Sequence, residues 1–266
     1  MSGAGRLSRR RKVRSPVGLE IGEGGWTYAW AFDLPGCFSR GATPEETLKI
    51  LPVRIERFLG WLSEVEQGAH RGRTMAEVTE KVSEPCPVRR GDTRALFLWD
   101  RQPPTEEELE RDLRWMGHSR RTLLSLAQSL PAELLIQESA GDASRELHDA
   151  VSPSIRRILR HVAGAEYWYL SRIAGDNWLA GEEPPDVFQG LEMVRASVVP
   201  TLRRLFATAP DEVVERNQST WSGTFTENWT LRKVLRRALW HEQFHIEEIR
   251  RRLEGNSGGR TAVGTA

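Results

Sequence analysis

The sequence contains very little cysteine: Cys37 and Cys86 are its two cysteines, and they are not in a Cys-x-x-Cys spacing. This scarcity excludes a disulfide framework and a cysteine-ligated zinc site. It is typical of a protein of the reducing cytoplasm, where we therefore place the chain. The sequence also lacks any apolar run long enough to cross a bilayer, so a membrane-spanning protein is not predicted.

The amino-terminal arm, residues 1–14, lacks both acidic residues and the apolar segment of a secretory signal. Its basic residues are Arg6, Arg9, Arg10, Arg11, Lys12 and Arg14. Because the whole chain has a net charge of +1, the remaining residues carry a net negative charge. We predict a disordered basic arm, with a phosphate-binding arm as the alternative, and a mildly acidic folded body that disfavours nucleic-acid binding.

The next region has the pattern of a small sheet with one helix. A short strand is predicted at residues 17–21, and residues 26–32 alternate strictly between aromatic and small side chains. This alternation predicts a half-buried strand that covers a helix with its aromatic side. Residues 37–39 form a third candidate strand, and residues 95–99 a fourth.

A helix is predicted to start at Thr43-Pro44-Glu45-Glu46, which combines a threonine cap, proline at the first position and a capping-box glutamate. Pro52 is expected to kink or interrupt this helix. Together with Asp33-Leu34-Pro35-Gly36-Cys37, this stretch resembles the HicB-like domain over about residues 15–100, within a predicted domain of residues 15–102. The resemblance implies a small α+β domain with a short antiparallel sheet plus a helix.

Many members of the HicB-like family are antitoxin halves of toxin–antitoxin pairs, so the resemblance implies a protein partner. No DNA-binding helix-turn-helix or ribbon is recognisable beside the domain, which argues against a repressor. Cys37 is predicted to be a small packed turn residue rather than a nucleophile.

Pro103-Pro104 marks a predicted domain boundary, beyond which the pattern is wholly helical. Four amphipathic helices within residues 103–255 predict an all-α four-helix bundle, followed by a disordered tail at residues 256–266. The first of these helices is predicted to start with a capping box at Thr105 and Glu108, and the third to begin after Asp186. The link at residues 131–152 is long enough to cover a site, an ordinary connector being the alternative. The second link, residues 210–228, leads to Trp229. The aromatic residues Trp221, Phe225 and Trp229 are predicted to be exposed. They are candidates to line the mouth of a site, and core packing is the commoner role for such residues.

The last helix, residues 230–254, places two histidines on its inward face. That face is marked by steps of three and four residues, namely Leu231, Val234, Ala238, His241, His245 and Ile249. Residues i and i+4 lie one turn apart, so His241 and His245 can converge on one ion. His161 borders the buried face of the second bundle helix and is the predicted third ligand, whereas His118 falls off the strongest face of the first helix.

Three neutral imidazoles would form an open divalent-metal site with a position left for water or substrate. The alternative interpretation is a metal-free bundle in which these histidines are satisfied core residues. Glu166, Glu242 and Glu247 are candidates to orient a histidine ring, or are otherwise solvated charges, and Tyr169 is a candidate pocket residue.

The segment around His161, together with Trp229-Thr230-Leu231-Arg232 and His241-Glu-Gln-Phe-His245, resembles the DinB-like superfamily over about residues 104–254. The resemblance implies a four-helix bundle whose three histidines bind a divalent metal, with zinc or nickel as the first candidates. It also implies a thiol-dependent transferase or isomerase. His241-xxx-His245-x-Glu247 is similar to the iron-binding pattern of ergothioneine-forming sulfoxide synthases, so iron is a further candidate, but their full reaction is not expected of this chain.

We therefore predict a metal-dependent thiol transferase or isomerase that acts on a small electrophile. No serine or cysteine of the helical region lies beside a base in the sequence, so a low-molecular-weight thiol is expected to supply the nucleophile. The alternative is a non-enzymatic, antitoxin-like module that binds a protein partner on a metal-stabilised scaffold. A homodimer is the candidate assembly.

Overall fold

A computed structural model of the protein describes residues 12–66, 73–137, 154–175, 184, 186–220 and 223–258. The first part of the chain forms the strands and helix β1 (Lys12–Ile21), β2 (Thr27–Ala31), β3 (Phe38–Gly41), α1 (Pro44–Leu62) and β4 (Arg73–Ser83). The second part forms α2 (Glu106–Gln128), α3 (Ala132–Ile136), α4 (Ile155–Ala174), α5 (Val187–Thr208), β5 (Val214–Thr220), β6 (Gly223–Trp229) and α6 (Leu231–Gly258). The predicted N-terminal α/β region and C-terminal helical bundle are both present.

The N-terminal strands form one sheet in the order β3-β2-β1-β4. β1 pairs antiparallel with β2 but parallel with β4, so the sheet is mixed rather than purely antiparallel as predicted. β1 begins at Lys12, which means that the end of the predicted arm belongs to a strand. Residues 1–11 and 259–266, the rest of the predicted arm and most of the predicted tail, lie outside the described residues.

The two faces of β2 pack against different helices. Ala29 and Ala31 share a core with Leu51 and Ile55 of α1, whereas Tyr28 and Trp30 join an aromatic cluster with Trp240 of α6. The aromatic side of the strand therefore covers a helix, as the alternation predicted, and that helix is α6. Every position of β2 is buried, so the prediction of a half-buried strand was wrong.

The apolar run Ala95–Trp99 was predicted as a strand and does not form one. The backbone N–H of Ala95 donates to the carboxylate of Glu20 at 3.0 Å, and that of Phe97 donates to Asp100 at 3.0 Å. Carboxylate side chains thus accept the hydrogen bonds that a neighbouring strand would otherwise accept. Ala95 and Phe97 themselves are buried in the aromatic cluster.

Helix starts agree closely with the sequence signals. The side chain of Thr43 caps α1, that of Asp186 caps α5, and Thr105 with Glu108 forms a complete capping box at α2. These bonds satisfy backbone N–H groups that have no partner inside the first helical turn. The helix α1 continues through Pro52, and α5 through Pro200, so neither proline interrupts its helix.

The bundle consists of α2, α4, α5 and α6, and its core is continuous with the core between the sheet and α1. Residues 214–229, predicted as part of a link, form the antiparallel hairpin β5–β6 instead. The helix α6 extends to Gly258, beyond the predicted end at Gly255. Of the link predicted at residues 131–152, residues 132–136 form the short helix α3, and residues 138–152 lie outside the described residues.

The domain boundary at Pro103-Pro104 stays a prediction. Contacts across it are extensive, since Arg236 of α6 binds Asp100 at 2.6 Å and Thr230 donates to the carbonyl of Asp100 at 2.7 Å. Among the helices that the structure describes, none has the length and apolar character needed to cross a membrane.

Candidate metal centre

The helix α6 lies at the centre of the molecule, and every residue from 231 to 246 is buried. The sequence pattern predicted only one inward face. The remaining faces are covered by the aromatic side of the sheet and by the segment around Asp100. Charges on these faces are paired, as in the contact of Lys233 Nζ with Glu227 Oε1 at 2.8 Å. The histidines of α6 are therefore held on a helix that is fixed on all sides.

His161, His241 and His245 come together between α4 and α6, with their ligand atoms within 4.8 Å of one another. The Nε2 atom of His241 lies 3.0 Å from Nε2 of His161 and 3.2 Å from Nε2 of His245. Two nitrogens bound to one tetrahedral zinc at about 2.05 Å would lie about 3.3 Å apart. The spacing therefore fits three imidazoles that share one small ion.

Burial differs among the three histidines in a way that suits an open site. His241 and His245 are buried, with 6% and 7% of their surface accessible, whereas His161 is exposed. The cluster is thus closed on the α6 side and reachable past His161. This is the arrangement expected of a site with three protein ligands and one position for an external molecule.

Glu248 contacts the cluster, although the sequence pattern pointed to other acids. Its Oε2 atom lies 2.8 Å from Nδ1 of His245, and Arg252 donates to its Oε1 atom at 2.5 Å. Burial favours the neutral acid, but the hydrogen bond with His245 and the charge of Arg252 outweigh it and lower the pKa of Glu248 to about 2. An ionised Glu248 requires a proton on Nδ1 of His245, which leaves Nε2 free to act as a ligand.

Glu247, the acid of the iron-binding pattern, lies on a different side of α6. Its Oε1 atom accepts a hydrogen bond from Arg54 of α1 at 2.6 Å. The spacing of three residues from His245 to Glu248, one helical turn, was the signal that would have identified the correct acid.

Glu166 and Glu242, two further candidates for orienting a histidine, bind arginines instead. Arg120 contacts Glu166 and Glu242 at 2.6 Å each, and Arg195 contacts them at 2.5 and 3.1 Å. Burial would raise the pKa of Glu242, but the charges of Arg120 and Arg195 lower it. The four residues belong to α2, α4, α5 and α6, so this buried network joins all four bundle helices, including the two that carry the histidines.

Tyr169, the candidate pocket residue, packs beside the cluster. Its ring centroid is 5.7 Å from that of His241, and its hydroxyl lies 3.4 Å from Nη2 of Arg237. Burial raises the pKa of Tyr169, with Arg237 acting in the opposite direction. Tyr169 therefore contributes a neutral hydroxyl and an apolar ring to the wall.

The aromatic residues of the second link were predicted to be exposed. Trp229 is instead fully buried at the end of β6 and packs against Tyr169, with 5.9 Å between ring centroids. Phe225 is partly buried beneath Arg94, and Trp221 lies outside the described residues. Core packing, the alternative interpretation, holds for Trp229.

The remaining histidine and cysteine predictions agree with the structure. His118 stacks on Trp61 with 4.4 Å between ring centroids, and its Nε2 atom lies 3.2 Å from the carbonyl of Trp61, away from the cluster. Cys37 is buried in the turn after β2, where burial raises its pKa. A thiol whose ionised form is disfavoured is a poor nucleophile.

Comparison with known proteins identifies a family for the helical region. The profile described as the DinB superfamily matches residues 116–249, which is half of the chain. Among solved structures, YfiT from Bacillus subtilis, described as a probable metal-dependent hydrolase with an unusual four-helix bundle topology, shares 15% sequence identity. The match covers 57% of this chain and 91% of YfiT, with a TM-score of 0.39. No curated protein matches the chain significantly.

Proposed function

Because this chain belongs to the DinB superfamily, we propose that it binds a divalent metal through His161, His241 and His245 and transfers a small-molecule thiol to an electrophile. The reaction class is that of a thiol S-transferase or isomerase. Zinc and nickel are the first candidate metals, since the proposed donor set consists of three imidazole nitrogens. Iron is the further candidate.

The observation that carries the proposal is the convergence of three Nε2 atoms. A hydrogen bond between two imidazoles needs a proton on one of the two nitrogens, and one Nε2 atom, that of His241, faces both His161 and His245 at 3.0 and 3.2 Å. One ion satisfies the three lone pairs together. Glu248 supports this assignment because it holds the proton of His245 on Nδ1, on the side away from the cluster.

The residues of this chain position the site and control access to it. The arginine–glutamate network of Arg120, Arg195, Glu166 and Glu242 holds α4 and α6 in place, and Tyr169 packs against His241. The exposed side of His161 leaves an approach for a small molecule. A divalent ion in such a site favours the ionised form of a coordinating thiol near neutral pH.

An external thiol is proposed because this chain's own thiols are poorly suited to the task. Cys37 and Cys86 are buried, and burial raises the pKa of both. Neither belongs to the helices that carry the histidines. The nucleophilic sulfur would therefore enter from solution past His161.

The test is spectroscopic. The native ion is replaced with cobalt, and low-molecular-weight thiols of the source cell are added one at a time. We expect a thiolate-to-metal charge-transfer band that is lost in His245→Ala and retained in the control variant His118→Ala. Absence of a spectral change with every thiol would overturn the transferase proposal, whereas metal binding itself is measured separately by elemental analysis.

A non-enzymatic partner-binding module of the HicB-like kind is the second candidate function. It is supported by β4, which lies at the end of the sheet with only β1 beside it among the strands that the structure describes. An edge strand of this length offers backbone groups to a partner chain. Co-purification of a stoichiometric protein partner that is lost when Glu77 and Thr79 of β4 are replaced by proline would favour this function.

A further inference from the structure

A cavity of about 360 Å³ lies between α1, the turn at Gly36–Phe38 and α6. Successive residues of a helix are rotated by about 100°, which places Gln243 and Glu247 on the opposite side of α6 from His241 and His245. The cavity is therefore separate from the histidine cluster.

The lining of this cavity is strongly basic. Its positively charged residues are Arg40, Arg54, Arg57, Arg250 and Arg251. Its negatively charged residues are Glu247 and Glu254. Five guanidinium groups and only two carboxylates line the same small cavity, which leaves an excess of positive charge around it. The excess of positive charge creates a field that favours an anion.

Pairing within the wall leaves much of this charge unneutralised. Arg54 is bound to Glu247 at 2.6 Å, and the guanidinium of Arg40 lies over the ring of Phe244 at 5.5 Å. For Arg57, Arg250 and Arg251, no carboxylate within the described ranges lies at ion-pair distance. The guanidinium groups of Arg57 and Arg250 are thus available to an incoming ligand, whereas Arg251 donates from Nε to the backbone carbonyl of Glu247 at 3.4 Å.

The floor of the same cavity is aromatic. Phe58 and Trp61 of α1 line it together with Phe38 and Phe244. Phe58 and Trp61 pack against each other with 5.1 Å between ring centroids. A ligand that fills the space would contact flat apolar surfaces below and guanidinium groups at the rim.

We propose that this cavity binds a small organic oxyanion, a phosphate or carboxylate group carried on a flat apolar body. Guanidinium groups bind both oxyanions through paired N–H donors, and Arg57 and Arg250 approach the cavity from α1 and α6 respectively. The aromatic floor packs against the apolar body of the ligand. The complete ligand therefore binds more tightly than the same anion without that body. Because the wall is built from the sheet region and the bundle together, the ligand joins the two.

The test is isothermal titration calorimetry of the full-length protein with phenyl phosphate, benzoate and inorganic phosphate. We expect phenyl phosphate to bind about tenfold more tightly than inorganic phosphate, since partial burial of a phenyl ring contributes about that factor. Comparison of phenyl phosphate with benzoate distinguishes the two oxyanions. Removal of metal with EDTA should leave all affinities unchanged, which separates this site from the histidine cluster.

The diagnostic variant is the double substitution Arg57→Gln and Arg250→Gln. Both side chains are exposed and form no hydrogen bond in the described structure, so the fold does not depend on them. We expect at least about a tenfold loss of affinity for phenyl phosphate, as for the removal of charge-assisted hydrogen bonds. The matched control, Arg121→Gln with Arg204→Gln, removes the same charge from exposed positions outside the cavity. Its affinity for phenyl phosphate should stay within about twofold of that of the unaltered protein.

The proposal is overturned if phenyl phosphate does not bind, if the two double variants weaken it equally, or if EDTA abolishes binding. The last outcome would assign the anion to the histidine cluster. Binding of inorganic phosphate as tightly as phenyl phosphate would also contradict it, because the aromatic floor would then have no role.

Discussion

The carboxylate of Glu248 lies 2.8 Å from Nδ1 of His245, one turn further along the same helix. Its second oxygen is held by Arg252 at 2.5 Å, so the acid is fixed between a histidine and an arginine. This contact sets which nitrogen of His245 carries the proton. It also identifies the acid whose replacement should alter metal binding.

The first prediction is that Glu248→Gln weakens zinc binding by about 10- to 100-fold, because an amide supports the ring of His245 less well than a carboxylate does. Competition with a chromophoric chelator measures the change. Glu247→Gln is the matched control, because the carboxylate of Glu247 contacts Arg54 and not a histidine of the cluster. An equal loss of zinc affinity in both variants would show that Glu248 has no specific role in metal binding.

Substitution of the ligands themselves provides the second prediction. His241→Ala and His245→Ala should each reduce the bound metal, measured by elemental analysis of protein purified without a histidine tag, well below one ion per chain. His118→Ala should retain it, because His118 stacks on Trp61 away from the cluster. Full stoichiometry in both ligand variants would show that the site is misassigned.

The third prediction concerns pH. Protons compete with the metal for the Nε2 atoms of the three histidines, so metal affinity should fall as the pH is lowered. Zinc titrations at a series of pH values measure this dependence. A constant affinity between about pH 5 and 8 would exclude histidine ligands.

Local signals in the sequence predicted the helix starts and the histidine cluster. The caps at Thr43, Thr105 and Asp186 involve residues within one helical turn, and the spacing of His241 and His245 depends on helix geometry alone. His161 could be included because the apolar residues around it predicted the helix on which it lies. Each of these features is decided by residues close together in the chain.

Features that depend on distant residues were not predictable in this way. The strand β4 has a polar, half-exposed sequence, and its pairing with β1 spans about sixty residues. The run Ala95–Trp99 has the composition of a strand, but Glu20 and Asp100 accept its hydrogen bonds. The contact of Arg54 with Glu247 likewise joins residues far apart in the sequence, although the position of Glu248 one turn after His245 follows from helix geometry.

The fourth prediction addresses the network that joins the four bundle helices. Arg120→Ala leaves Glu166 and Glu242 buried with one arginine fewer, and loss of one partner of a buried ion pair destabilises a fold by about 3–5 kcal/mol. Urea denaturation measures the change. Arg203→Ala breaks the exposed pair with Glu110 and should have no resolvable effect. Similar stabilities of the two variants would contradict the role of the network.

The fifth prediction concerns Asp112 of α2. Burial raises its pKa from 3.8 to about 6, although the charge of Arg111 acts in the opposite direction. Between these two pH values the folded state binds more protons than the unfolded state, so stability falls as pH rises through this window. We expect this fall, up to about 3 kcal/mol, to be absent in Asp112→Asn. Parallel pH dependences of both proteins in urea denaturation would rule this out.

The position of α6 has a consequence for synthesis on the ribosome. Its residue Trp240 covers the aromatic face of the sheet, yet it follows Phe38 by roughly two hundred residues, which corresponds to about 10–40 s of translation. The nascent chain carries the uncovered rings of Tyr28, Trp30 and Phe38 throughout this interval. Neither the sheet nor the bundle can complete its core until α6 has left the ribosome, so the latest-made helix closes both.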